Sequence, residues 1–421
     1  MSEPVTSSIE KALAMNLDPL HYGTIVEIGA GQEVARWFFQ AGAAAGTIAK
    51  SMSAYDMVFS DEIYGASPDK RYVSRNRLEQ MLEREYELTV DRVADHRSED
   101  SRYFAFANTV AAQGYHKRAE CHGWLGIKLQ TEPQQEPDEI ILHVRMLDDT
   151  NLEQQEAIGI LGVNLIYGAY HYADDPKKLI NSLKDNMKWG RIEVDLIEFN
   201  GPNFDKIDNS LMALELVHAS LVRAVLFSPE GKVVIPSDAL YKHRILAMRG
   251  KFETVEEKST KRFSHAKARF QKREPNAPKK IISLAEMSMS EGANEGTVDV
   301  ENFLARVNQL CDAGYHVLIS ELYRYFRVRQ FLARYTREEV ALVSDAKGVR
   351  DIFHEENYEG LAGGVLEGLG QTFTDKTIAY IYPDDEKPLR ISSLPVTDHM
   401  RPLVSYLHDN GQIELVKDFE G

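Results

Sequence analysis

Glu27-Ile28-Gly29-Ala30-Gly31-Gln32-Glu33 closes a β-like run and opens directly into Val34-Ala35-Arg36-Trp37-Phe38-Phe39, which has helical spacing. A strand that ends in Gly-x-Gly and passes into a helix clears the backbone for a phosphate or an adenosine. The first N–H groups of the helix and its partial positive end then point at the ligand. In such a site Gly29, Gly31 and Gln32 would cradle the ligand and Arg36 would neutralise phosphate. Glu27 would hold a hydroxyl pair or act as general base. Asp56 is a second candidate of the same kind, and Arg75 a second phosphate partner. The same glycines also suit a tight turn, and Glu33 puts negative charge where a phosphate would lie, although it equally suits the helix dipole.

A second group of candidates lies near the other end of the chain. Glu286, Glu321, Asp345 and Asp384 each stand at or just beyond the end of a strand-like run. Ligands of open parallel sheets bind at the carboxyl ends of the strands, so converging acids there suit Mg²⁺ or sugar hydroxyls. Glu321 and Asp345 also suit the N-termini of the helices that follow them. Gly363-Gly364, opening a helix-like segment, is a second place where backbone amides meet an anion, or else a simple turn. Arg324, Arg327, Arg334 and Arg337 recur at near-helical spacing, as a phosphate clamp or as a solvated face. His116, Cys121, His122 and His143 lack the spacing that puts ligands on one metal, so no metal site is assigned. The Gly-x-Ser-x-Gly, Walker A and His-Glu-x-x-His patterns are absent.

Behind these residues lie two kinds of element. From Ile281 onward the hydrophobic period switches regularly: strand-like Ile281 to Met287, a helix through Cys311, strand-like Val317 to Ser320, a helix over Leu322 to Tyr335, strand-like Val340 to Val343, and Ile378 to Tyr382. Short strands alternating with helices predict a Rossmann-like, doubly wound parallel sheet over 281–421. Residues 258–280 are charged and end in Glu274-Pro275-Asn276-Ala277-Pro278, which reads as a basic linker. Residues 1–257 read as a mixed α/β domain, with a strand at Thr24 to Ile28, a helix running from Val34 to about Met52, and a closing hairpin at Ala224 to Pro236. The fold class is therefore α/β throughout. Methyltransferases that use a nucleoside-methionine cofactor begin with a comparable Glu-x-Gly-x-Gly strand end, but they place a second strand with a terminal acid about 20 residues on. Here that interval reads as an Ala/Gly-rich helix.

The 421 residues, 43% hydrophobic, suffice for two or three packed domains. A net charge of −16 opposes general affinity for nucleic acid, which needs a positive surface. The basic, Phe-containing stretch from Lys258 to Lys280 is read as salt-bridged to its own surface. Two distant cysteines and a polar N-terminus predict a cytoplasmic protein without structural disulfides. The longest apolar run, Ala157 to Tyr172, falls short of the roughly 20 residues of a membrane span.

The chain resembles a widespread family of bacterial cytosolic proteins over nearly its whole length. The resemblance is carried by Tyr22 to Phe39, Ser53-Ala54-Tyr55-Asp56-Met57, Tyr72-Val73-Ser74-Arg75, Glu120-Cys121-His122-Gly123-Trp124, Leu161 to Gly168 and Gly363-Gly364-Val365-Leu366-Glu367. Two labels attach to that family, TonB-dependent receptor and nicotinate-nucleotide adenylyltransferase. The first needs export and many alternating strands; the second implies a His-x-Gly-His phosphate site that this sequence lacks. The resemblance adds no reaction. The residues point to an enzyme acting on a nucleotide or other phosphorylated metabolite by group transfer, with Mg²⁺ accompanying a nucleotide and the chain forming a homo-oligomer. The alternative is a non-catalytic scaffold or assembly subunit, with the small residues Ala41 to Gly46 allowing close helix packing.

Overall fold

A computed structural model of the chain describes residues 6–67, 71–114, 120–252, 257–274, 280–289, 300–384 and 389–419. Two compact units result, Met1–Val222 and Arg223–Gly421. Both are α/β, as the sequence predicts.

The first unit runs α1 (Ser8–Leu17), β1 (His21–Ile28), α2 (Glu33–Ala41), β2 (Ile48–Met52), α3 (Met57–Tyr64), α4 (Arg75–Val93), β3 (Arg102–Ala111), β4 (His122–Leu129), β5 (Asp138–Met146), α5 (Asn151–His171), α6 (Pro176–Ser182), β6 (Ile192–Asn200) and α7 (Asn209–His218). Its sheet has the order β2-β1-β3-β4-β5-β6. Strand β1 lies between β2 and β3 and is parallel to both, while β3 to β6 form an antiparallel meander. Helix α4 covers one face, where Leu78 and Leu82 press on the backbone of Gly126. On the other face α5 crosses α2 so closely that a Cβ at Gly162 would meet Val34 at 2.4 Å. Helix α5 is apolar on nearly all sides because it is buried on nearly all sides. Side chains such as Phe38, Phe104, Leu161 and Leu165 are wholly buried, and each contributes about 1.5–3 kcal/mol by leaving water.

The expected helix from Val34 to Met52 is corrected by this unit. Helix α2 stops at Ala41 because Gly42 (φ +83°) and Ala43 (φ +59°) turn into the left-handed region, a common way to end a helix. The chain then re-enters the sheet as β2, so the second strand absent from the sequence reading is present. The small residues Ala41 to Gly46 form this turn and a short 3₁₀ segment, not a helix for close packing.

The second unit runs β7 (Ala224–Phe227), β8 (Val233–Val234), α8 (Pro236–Ala239), β9 (Arg244–Arg249), α9 (Glu257–Arg273), β10 (Ile281–Ser288), α10 (Val300–Asp312), β11 (His316–Ser320), α11 (Tyr325–Tyr335), β12 (Val340–Asp345), α12 (Ala346–Ile352), α13 (Gly364–Thr372), β13 (Thr377–Tyr382), α14 (Arg401–Asp409) and β14 (Ile413–Leu415). The sheet order is β14-β13-β12-β9-β10-β11-β7-β8. The six strands from β14 to β11 are parallel, and β7 and β8 add an antiparallel edge. Taken in chain order from β9, the parallel strands read 6-5-4-1-2-3, the doubly wound arrangement with its switch between β9 and β12.

Two expectations about this region change. The parallel sheet begins at β9 rather than at Ile281, and the hairpin after Ala224 belongs to its edge rather than to the first unit. The stretch read as a basic linker carries α9, the crossover from β9 to its parallel neighbour β10. Phe263, Ala266 and Phe270 are buried at helical spacing along it. Arg244 on β9 donates to Phe270 O at 3.0 Å, and Arg269 is clamped by Asp418 at 2.7 Å and by Glu414. The remaining residues of that stretch, 275–279, lie outside those described. On the opposite sheet face, Ile245, Ala247, Leu284, Leu342 and Ile381 share one core with residues of α11 to α14.

Candidate functional site

The Gly29–Gly31 turn forms as its residue types require. Gly29 has φ +89° and lies so close to β3 that a Cβ would stand 1.9 Å from Val110 O; only glycine fits there. Glu27, however, is wholly buried and its carboxylate accepts from Ala35 N at 3.1 Å, Val34 N at 3.3 Å and Asn108 Nδ2 at 3.1 Å. It occupies the amides that an anionic ligand would use, as an acid suited to the helix dipole does. Burial pushes its pKa up to about 7 despite those three donors. The amide of Gly31 donates to Tyr55 Oη at 2.9 Å, and Ser53 donates to Glu27 O. Gln32 is exposed at the N-cap of α2.

The charged candidates around this turn are also engaged. Arg36 pairs with Glu33 at 3.3 Å and is largely exposed. Asp56 caps α3 by accepting from Phe59 N at 2.8 Å. Arg75 grips Glu198 through both terminal nitrogens, at 2.9 and 2.6 Å, and Glu79 through Nε at 2.7 Å. The geometry assigns Glu27 and Asp56 to helix capping and Arg75 to a bidentate ion pair, which is a correction to their expected roles as base and phosphate partner.

In the second unit the carboxyl ends of the strands carry a different arrangement. Arg249 ends β9 and is held by Glu286 of β10, with Nη2 at 3.0 Å from Oε1, and by Tyr323 O at 3.1 Å. Ser320 at the end of β11 donates to the same Glu286 Oε1 at 2.6 Å. Glu286 is buried, so this acid and its partners fix the Arg249 guanidinium near the ring of Tyr325, 5.1 Å from its centroid. Beyond them opens a cleft of about 580 Å³. Its walls include Arg249, Arg324 and Tyr325 at the start of α11, and Arg350, His354 and Glu356 after it. Arg324 is exposed, and Arg350 lies 3.7 Å from Asp351. Arg324 and Arg350 stand in one cleft with Arg249, whose Nε and Nη2 are engaged by Glu286 and Leu322 O, and guanidinium groups at the strand ends of a doubly wound sheet suit phosphate or carboxylate oxygens.

The acids expected at these strand ends separate. Glu286 supports the cleft from beneath. Asp345 caps α12, accepting from Gly348 N at 2.9 Å, and stands 3.7 Å from Arg262 of α9. Asp384 is 3.9 Å from the same arginine. Glu321 is half-buried after β11, where its amide donates to Arg223 O at 2.9 Å. Gly363 donates to Glu367 Oε2 at 2.8 Å at the start of α13. Gly364 follows with φ +54°. That amide is taken by the helix's own acid, so this Gly-Gly pair is a helix start rather than an anion loop. Of the expected arginine face, Arg324 alone is among the cleft walls. Arg249, Tyr323, Tyr325, Arg350 and His354 were not singled out by sequence; Arg249 and Arg350 lie about 100 residues apart and no motif links them. Among the described residues no group of three or more His, Cys, Asp or Glu is placed to hold a metal ion. No helix there is long and apolar enough to cross a membrane.

No family model matches the chain, and no curated protein matches it. Among solved structures it is similar to the competence/damage-inducible protein CihA from Agrobacterium tumefaciens, at 16% identity and a TM-score of 0.29 over 39% of this chain and 97% of that one. It is also similar to a competence-damaged protein (CinA) superfamily protein from Enterobacter cloacae, at 11% identity and a TM-score of 0.30 over 40% of this chain and 96% of the other. Likeness of this size carries no argument about the site.

Proposed function

We propose that the second unit binds a nucleotide or another phosphorylated metabolite in the arginine-walled cleft, as an enzyme of group transfer. The observation that carries this reading is the convergence of Arg249, Arg324 and Arg350 on one cleft beside the switch between β9 and β12. Its volume lies within the range of small-ligand sites, about 300–1,000 Å³. Arg249 arrives pre-oriented by Glu286, so it loses little freedom on binding. Asp351 and Glu356 on the same walls supply the oxygen donors that Mg²⁺ prefers, beside those of the ligand's phosphates. Tyr323 and Tyr325 offer ring faces to a base or sugar.

The test is a thermal-shift series of nucleotides and sugar phosphates, with and without Mg²⁺. A ligand at 100 times its Kd stabilises by about 2.7 kcal/mol, which moves the Tm of a unit of this size by about 5–10 °C. Such a shift supports the reading; no shift with any phosphorylated ligand sinks it. A second reading, an assembly subunit, is favoured by Tyr55, Met57, Val58 and Phe59 at the start of α3, which are 56–70% exposed. An absence of ligand shifts together with a large, stable homo-oligomer on sizing would select it.

A further inference from the structure

Around the end of α12 two cavities of the second unit meet. One is the arginine cleft of about 580 Å³. The other is a smaller chamber of about 190 Å³, and Arg350, His354 and Glu356 border both. All three side chains of this partition are exposed. Arg350 stands 3.7 Å from Asp351 and His354 stands 3.9 Å from Glu356, both longer than hydrogen bonds. Exposed pairs of this kind hold their side chains weakly, so the partition yields to a ligand lying across it.

The two spaces differ in chemistry. Arg249 and Arg324 border the cleft alone, and among the described residues no Lys or Arg other than Arg350 borders the chamber. Phe353, Pro395 and Val396 line the chamber instead. Phe353 is 4% exposed and Val396 packs against the same core, so these surfaces are fixed by the apolar layer beneath them. Glu355, also on the chamber wall, lies 2.8 Å from His399 Nε2. The chain before α14 is held as well: Arg401 Nη1 donates to the carbonyls of Ile391 and Ser392, each at 3.0 Å, and Met400 N donates to Thr397 O at 3.0 Å. A chamber formed in advance costs its ligand little ordering. Glu355 and Glu356 repel an anion there, while the apolar surfaces favour an uncharged carbon group. At about 30 Å³ for each water the chamber has the room of about six water molecules, or a group of about six non-hydrogen atoms.

We propose that the two cavities form one bipartite site, in which Arg324 and Arg350 hold a phosphate group in the cleft and the chamber takes a short, uncharged aliphatic group attached to it. The inference rests on the arginine cleft being the ligand site. It narrows the ligand class to a phosphate ester that carries such a group; a nucleotide without one fills the cleft alone.

The experiment is a ³¹P line-broadening titration of methyl phosphate and n-hexyl phosphate with the full chain. The expected result is that the hexyl ester binds at least about thirtyfold more tightly than the methyl ester, since its methylenes leave water for the chamber. Val396→Asp, which sets a carboxylate on the apolar wall, and Thr397→Trp, which fills the chamber from its exposed side, should each bring that ratio down to about one. Thr397 is exposed, so its variant serves where Val396→Asp does not fold. Arg324→Ala should weaken both esters in proportion, which supports the placing of the phosphate. Equal binding of the two esters by the unaltered protein overturns the bipartite site and leaves the arginine cleft standing. A ratio that persists in a folded Thr397→Trp protein overturns it too, because the chain of the ester then lies elsewhere. Binding of neither ester overturns the cleft reading and this inference with it.

Discussion

Both oxygens of Glu27 accept from N–H donors, Oε1 from Ala35 and Oε2 from Val34 and Asn108. Glu27→Gln turns an NH₂ group toward at least one of them, and urea denaturation at pH 5 should show a loss of about 1–3 kcal/mol. Its pH dependence has a fixed sign. Burial raises the folded pKa from 4.5 to about 7, so the carboxyl's contribution is full below pH 4.5 and lost as the pH rises through 7. The advantage of the unaltered protein over Glu27→Gln should shrink between pH 5 and pH 8; an equal advantage at both would contradict the assignment. The two glycines beside it separate by the same kind of test. Gly31→Ala meets only Gln155, at 3.7 Å, and pays mainly for its φ of +70°, about 1–2 kcal/mol. Gly29→Ala adds a collision with Val110 O and should abolish cooperative melting of the first unit. The sequence made the strand-to-helix turn legible because its glycines announce a special backbone. That Glu27 caps the helix was not legible, because a carboxylate that binds a ligand and one that binds its own helix have the same residue type and spacing.

At the scale of elements, α9 shows what charge conceals. Phe263, Ala266 and Phe270 keep a helical period, yet Lys261, Arg262, Lys267, Arg269, Lys272 and Arg273 surround them and give the segment the look of a linker. Two of those cations are matched across the fold, Arg269 by Asp418 and Arg262 by the carbonyl of Pro383 at 2.8 Å. Arg244 ties β9 to this helix and to Glu339, and its side chain is 2% exposed. Arg244→Ala should cost about 3 kcal/mol, read as a fall in the urea midpoint of the second unit, while Arg273→Ala, 41% exposed, should cost under about 1 kcal/mol. Equal costs would show that α9 does not close the sheet. Strand β2 was hidden for a related reason: Ile48-Ala49-Lys50-Ser51-Met52 is short, and its Lys50 forms an ion pair with buried Glu85 of α4. The alternation of period from Ile281 to Tyr382 needed no such help and was readable, whereas α14 and the edge strand β14 beyond it were not read.

At the scale of the molecule, the candidate site depends on strand order more than on any motif. Arg249, Arg324 and Arg350 come from β9, the start of α11 and α12, and only a sheet that reverses direction between β9 and β12 brings them to one cleft. The sequence supplied the alternating elements of that sheet but not its first strand, so the cleft's central arginine stayed out of view. Two compact units also predict that residues 1–222 and 223–421, expressed separately, each melt cooperatively; a molten second fragment would contradict the division. The central claim, that the second unit's cleft is the ligand site, is tested most directly by titration calorimetry of the ligand giving the largest thermal shift. We predict that Arg324→Ala and Arg350→Ala each weaken binding about tenfold or more, as loss of a charge-assisted pair should, while Gly31→Asp leaves affinity unchanged. Normal affinity in both arginine variants, with loss of binding in a folded Gly31→Asp protein, would place the ligand at the Gly29–Gly31 turn instead and contradict the account.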